Sequence, residues 1–259
     1  MTTSTNVTSA NWSGAVLQAA SGKSFSTVSA QWVVPTVSQV PLQGVTTTDL
    51  ASWVGLDGYT ANDVAQAGIQ ETVTTGASGK ATVSYSAWDE WYPAGSNEIS
   101  SSALKVDPGD TVKVTVETIG AGATKAKFLF DDETTGQTYH TSLTAPRGTS
   151  LTGSSAEFVV ETPEWSSGFS TYQPLLSDFL GSPIVFQNAS ATYAGGTAAS
   201  LSSALTIGME TNGVPGVFGY TQEAYGSVSA SADTVTVTED DYWAAANTPH
   251  WFRHFGFFF

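Results

Sequence analysis

Six segments of this chain alternate apolar and polar residues with a period of two: KATVSYSAW near 80–88, DTVKVTVET at 110–118, KAKFLFDDE at 125–133, AEFVVET at 156–162, SPIVFQNASATYAG at 182–195 and DTVTVTED at 233–240. That period marks strands, whose successive side chains point to opposite faces of a sheet. Turn chemistry separates the segments, as in GASGK, DPGD, ETTGQ and RGTSLTGSS. No window of useful length has apolar residues at helical spacing, and QPLLSDFLG at 173–181 is the one short helix candidate. The pattern predicts a sandwich, jelly roll or partly closed barrel. With 259 residues, 41% of them hydrophobic, the chain supplies the core of one large all-β domain.

Charge narrows the partners. Eight Lys and Arg stand against 23 Asp and Glu, a net charge of -15. Such a surface repels phosphate backbones, so no nucleic acid partner is expected. In acid the protonated carboxylates leave few charges behind, which suits a protein that works there. Cysteine is absent, which excludes disulfides and thiolate chemistry. No run of eighteen or more apolar residues is present, so no membrane helix is expected. The chain reads as a mature form without signal peptide or propeptide. Residues 244–259, AAANTPHWFRHFGFFF, lack alternation and read as an aromatic tail of unknown role after a domain spanning 1–243.

Four stretches share a polar, aromatic face. In YSAWDEWYP, Trp88, Glu90 and Tyr92 lie on one side with Ser84 and Ser86. Val83, Tyr85, Ala87 and Trp91 lie on the other, and Asp89 is expected at a bend. WVGLDG sets Trp53, Gly55 and Asp57 against Val54 and Leu56. VAQAGIQ sets Gln66, Gly68 and Gln70 against Ala65, Ala67 and Ile69. AEFVVE sets Glu157, Val159 and Glu161 against Phe158 and Val160. A single polar strand face is ordinary on a wet sheet. Four that agree predict a concave surface for an extended polymer, peptide or sugar.

The available chemistry is carboxylate chemistry. His140 is the one histidine inside the domain, on an expected exposed strand without a nucleophile elbow beside it. No HExxH-type zinc motif and no DTG or DSG loop occurs, and neither a metal nor a cofactor is expected. Glu90 and Glu161 are placed to act as a glycosidase pair. Equally, one carboxylate can act as base while a neutral amide stabilises an oxyanion. A non-catalytic, lectin-like binding module is the third reading.

Taken in order, NWSGAV (11–16), SWVGLDG (52–58), AQAG (65–68), YSAWDEWYP (85–93) and AEFVVE (156–161) resemble the motifs of the glutamic peptidases, the eqolisin family. The resemblance covers roughly residues 10–243 and implies an antiparallel β-sandwich of two packed sheets, jelly-roll or concanavalin-like, with a concave cleft. It implies a monomeric, secreted, pepstatin-insensitive endopeptidase that cleaves polypeptide substrates in acid. The family dyad falls on Gln66 and Glu161, with Glu161 as base and Gln66 as oxyanion donor. Trp12, Trp53, Asp57, Trp88, Glu90 and Tyr92 match substrate-binding positions that line the cleft. Fungal members carry disulfides, so a chain without Cys is similar to a prokaryotic-type member. Gln70 and Ser86 stand where some members have acids.

Overall fold

Strands dominate because the alternating segments each have one apolar stripe to bury. In the computed structural model the described residues are 6–40, 47–163, 165–167, 170–172, 175–179, 182–212, 220–229, 231–239 and 242–243. The aromatic tail at 244–259 lies outside them. The first eleven strands are β1 (Asn6–Ser9), β2 (Trp12–Gln18), β3 (Phe25–Val33), β4 (Thr47–Asp57), β5 (Val64–Thr75), β6 (Ala81–Tyr92), β7 (Asn97–Glu98), β8 (Thr111–Glu117), β9 (Lys125–Asp132), β10 (Gln137–Thr144) and β11 (Ser155–Glu161). Then come β12 (Trp165–Ser167), β13 (Ser170–Tyr172), β14 (Leu175–Leu176), β15 (Ile184–Tyr193), β16 (Leu205–Asn212), β17 (Tyr220–Val228), β18 (Val235–Glu239) and β19 (Tyr242–Trp243).

Two layers result. The front layer runs β18–β17–β16–β2–β11–β4–β5–β6–β7 through antiparallel pairings. The back layer runs β15–β3–β8–β9–β10, also antiparallel. β15 belongs to both, pairing β18 through Ile184–Phe186 and β3 from Gln187 onward. Its register shifts between Gln187 and Ser190, where Asn188 takes φ 49°. Asn tolerates that left-handed conformation better than most residues. The two layers are therefore continuous through one bent strand while their apolar faces pack as a sandwich.

The core lies between the layers. Val54, Leu56, Ala65, Ala67, Ile69, Phe158 and Val160 come from the front, and Val28, Trp32, Val114, Phe128 and Phe130 from the back. Phe186 of β15 stands between them, 5.1 Å from the Trp32 ring and 6.5 Å from that of Phe158. Burying one such aromatic contributes about 1.5–3 kcal/mol.

Two local expectations are corrected. Leu175–Leu176 forms a short strand parallel to β4 at Thr48–Asp49, and Asp178 bridges Ser38, so the described part of 173–181 is extended. Leu176 and Phe179 are buried there. A nine-residue helix is marginal by itself, and an existing sheet edge offers its backbone ready partners. Asp89 does not mark a bend. β6 runs straight through it opposite Ala67, and the buried carboxylate accepts from Asn97 Nδ2 at 3.0 Å.

Candidate active site

The register lays the front face out in rows. One row runs Glu90, Gln66, Gly55, Glu157, and the next runs Trp88, Gly68, Trp53, Val159. The third runs Ser86, Gln70, Ala51, Glu161, Trp12. Gln66 and Glu161 are thus diagonal to each other, with the Trp53 row between them. Gly68 is required in that row, because a Cβ there would lie 2.1 Å from Ser52 O and 2.5 Å from Trp53 Cβ. Trp53 lies over it, fully buried, and meets the Trp12 ring edge-on at 4.9 Å. Above this floor opens a cleft of about 590 Å3, lined by Gln66 and Glu161 together with Asn11, Trp12, Trp88, Glu90 and Tyr92.

Both polar groups of the diagonal are held from the protein side. Gln66 Nε2 donates to Glu90 Oε2 at 2.6 Å. An amide nitrogen carries two hydrogens, so this bond fixes the amide and leaves the second hydrogen for another acceptor. Glu161 accepts on both oxygens, from Asn11 Nδ2 at 3.0 Å and from Trp53 Nε1 at 2.8 Å.

Burial sets the electrostatics. Desolvation raises the Glu90 carboxyl above its ordinary value, partly offset by the bond from Gln66. Asp63, also on the cleft lining, is raised mainly by burial. Glu157 is fully buried, which pushes it well above its ordinary value, and Asp57 nearby adds to the rise. On the opposite face of β5, Glu71 is fully buried toward the core and is likewise pushed well up by desolvation. These groups favour the protonated, neutral form in acid.

Of the residues expected at the site, Gln66, Glu161, Trp12, Trp88, Glu90 and Tyr92 line one cleft. Trp53 lies in the floor beneath the cleft, its ring fully buried and its indole N–H donating to Glu161. Asp57 lies away from the cleft lining. It is fully buried, and its carboxylate accepts five hydrogen bonds from the 152–154 segment. At φ 66° it turns β4 out of the sheet, so its side chain anchors a loop instead of facing the cleft. Nothing in the NWSGAV segment assigns Asn11 a role. Its link to Glu161 spans 150 residues of sequence, and only the β2–β11 register reveals it.

Comparison with known proteins gives a consistent result. The model of the Peptidase A4 family matches residues 10–239. The chain is similar to Aspergillopepsin-2 of Aspergillus niger, with 30% identity over 250 residues, 89% of this chain and 77% of that protein. Among solved structures it resembles scytalido-glutamic peptidase with a transition state analog inhibitor (TM-score 0.69, 28% identity, 88% of this chain and 98% of that one). It also resembles aspergilloglutamic peptidase from Aspergillus niger (TM-score 0.56, 30% identity, 74% and 98%).

Proposed function

The chain belongs to the Peptidase A4 family, glutamic endopeptidases of the eqolisin type, and from that premise we propose that Glu161 and Gln66 are its catalytic dyad. Ionised Glu161 takes a proton from a water, whose oxygen bonds to the scissile carbonyl carbon. Gln66 Nε2 donates its second hydrogen to the developing oxyanion. The C–N bond then breaks as protonated Glu161 returns that proton to the departing nitrogen. The observation that carries this reading is the pair itself: a carboxylate and an amide opening into one cleft, each held by hydrogen bonds from neighbouring side chains.

Acid suits every part. Carboxyl groups as a class exchange protons in acid, which is where a carboxylate can serve as general base. Gln does not titrate there, so the oxyanion donor is constant. Glu90, raised by burial, is neutral in acid and accepts from Gln66 without repelling the oxyanion. The substrate is an extended polypeptide lying along the concave sheet. The enzyme acts as a secreted monomer insensitive to pepstatin, and no helix among the described residues is long and apolar enough to cross a membrane.

The test is hydrolysis of a denatured protein at about pH 4 with and without pepstatin. Glu161→Gln keeps shape and removes the base, so hydrolysis falls to background with the fold intact. Gln66→Ala costs about 10²–10³ in rate, the usual loss for one oxyanion donor. Glu90→Gln is milder than either. Full activity in Glu161→Gln refutes the mechanism.

A further inference from the structure

We infer that Asn11 is a positioning residue for the base: its side-chain amide holds one oxygen of Glu161 while the Trp53 indole holds the other, and the clamp determines how far into acid the carboxylate works. The inference rests on the proposed role of Glu161. Its geometry is independent of any substrate. Asn11 sits in the turn between β1 and β2, where its own N–H and that of Trp12 both donate to Ser9 Oγ, at 3.3 and 3.1 Å. Its carbonyl accepts from Thr162 N at 3.0 Å, tying the turn to the residue that follows Glu161. The amide therefore approaches Oε1 from a loop fastened to the base's own strand.

The surroundings explain why a neutral clamp matters here. Of the carboxyls on the strands around Glu161, Asp57 on β4 is tied to the 152–154 segment, and Glu71 on β5 and Asp89 on β6 lie on the opposite face. Four share the front face or the cleft lining with it, namely Asp49 on β4, Glu90 on β6, Glu157 on β11 and Asp63 in the loop before β5. All four are carboxyls raised chiefly by burial. β2 contributes Trp12, and β5 contributes Gln66 and Gln70. Among the described residues no Lys, Arg or His lines the cleft. Asn11 and Trp53 are neutral donors to Glu161, and hydrogen bonds to a carboxylate favour its charged form over the neutral one. Removing one donor shifts that balance toward the protonated acid.

The experiment measures kcat against pH for the parent, Asn11→Ala, Asn11→Ser and Asn11→Asp, with Glu161→Gln as control. In Asn11→Ala the acid limb moves up by about one pH unit, a tenfold loss on that limb, as expected for one hydrogen bond to a charged group. Asn11→Ser, whose hydroxyl is too short to reach Oε1, gives the same shift and decides the matter where alanine does not fold. Asn11→Asp moves the limb at least as far, because it adds a like charge. A limb that stays in place, with or without a uniform loss at every pH, overturns the inference and leaves Asn11 a structural residue. An active Glu161→Gln instead overturns the assignment of the base, so the two failures are told apart.

Discussion

Asp57→Asn separates an anchor from a substrate contact. The aspartate oxygens accept from Thr152 N (2.5 Å) and Gly153 N (2.9 Å) on Oδ2, and from Thr152 Oγ1 (2.9 Å), Ser154 N (2.6 Å) and Ser154 Oγ (2.7 Å) on Oδ1. An asparagine has one oxygen and one NH2 for the same five donors. With nitrogen at the Oδ2 position, two backbone N–H groups face a donor. With nitrogen at the Oδ1 position, both hydroxyls can turn to accept from it, and only the Ser154 N–H is orphaned. The second orientation is cheaper. It costs about 1–3 kcal/mol for the orphan, plus about 1 kcal/mol for each of the two amide bonds that lose a charged acceptor. The total, about 4 kcal/mol, is a large share of the 5–15 kcal/mol typical of a domain. It corresponds to a Tm lowered by about 8–16 °C, at roughly 2–4 °C per kcal/mol for a chain near this size. The assay is thermal melting by circular dichroism at about pH 4, with kcat/KM measured well below the melt. Asparagine accepts a left-handed φ as readily as aspartate, so backbone strain does not confuse the result. A Tm within about 2 °C of the parent, or lost peptidase activity in an unaltered fold, refutes the anchor role.

Two more outcomes follow from burial and packing. Glu71 and Glu157 have folded pKa values raised above the unfolded value. Their stabilisation is therefore complete below the unfolded value near 4.3 and fades as pH rises through the folded ones, by at most about 1.4 kcal/mol per pH unit per group. Melting temperature accordingly falls from about pH 4 towards neutrality, and Glu71→Gln, which cannot ionise, flattens that slope; an unchanged slope contradicts the account. Gly68→Ala forces a Cβ against Ser52 O and Trp53 Cβ, costing about 1–3 kcal/mol. It also displaces the indole that holds Glu161, so melting temperature and kcat both drop; parental values for both would show that the Trp53 row adapts.

What the sequence determined by itself was local and periodic. Alternation at period two identified the strands and sorted Val54, Leu56, Ala65, Ala67, Ile69, Phe158 and Val160 onto the buried side, because a strand's two faces are written in consecutive residues. Motif order then pointed to Gln66 and Glu161. Side chains whose task depends on what packs against them were not legible in the same way. Asp57 alternates onto the polar face, yet the 152–154 segment covers it, and nothing near it in sequence announces that partner. Trp53 alternates correctly but is sealed beneath Trp12. The 173–181 segment has apolar residues that suit a short helix, and only the waiting edge of β4 makes part of it a strand. Asn11 meets Glu161 because β2 and β11 pair in one register, Trp12 opposite Glu161. Strand periodicity is encoded residue by residue, whereas register joins distant segments and is chosen by the packing of the whole sheet. That choice turned a list of polar residues into a cleft with a held carboxylate and a held amide.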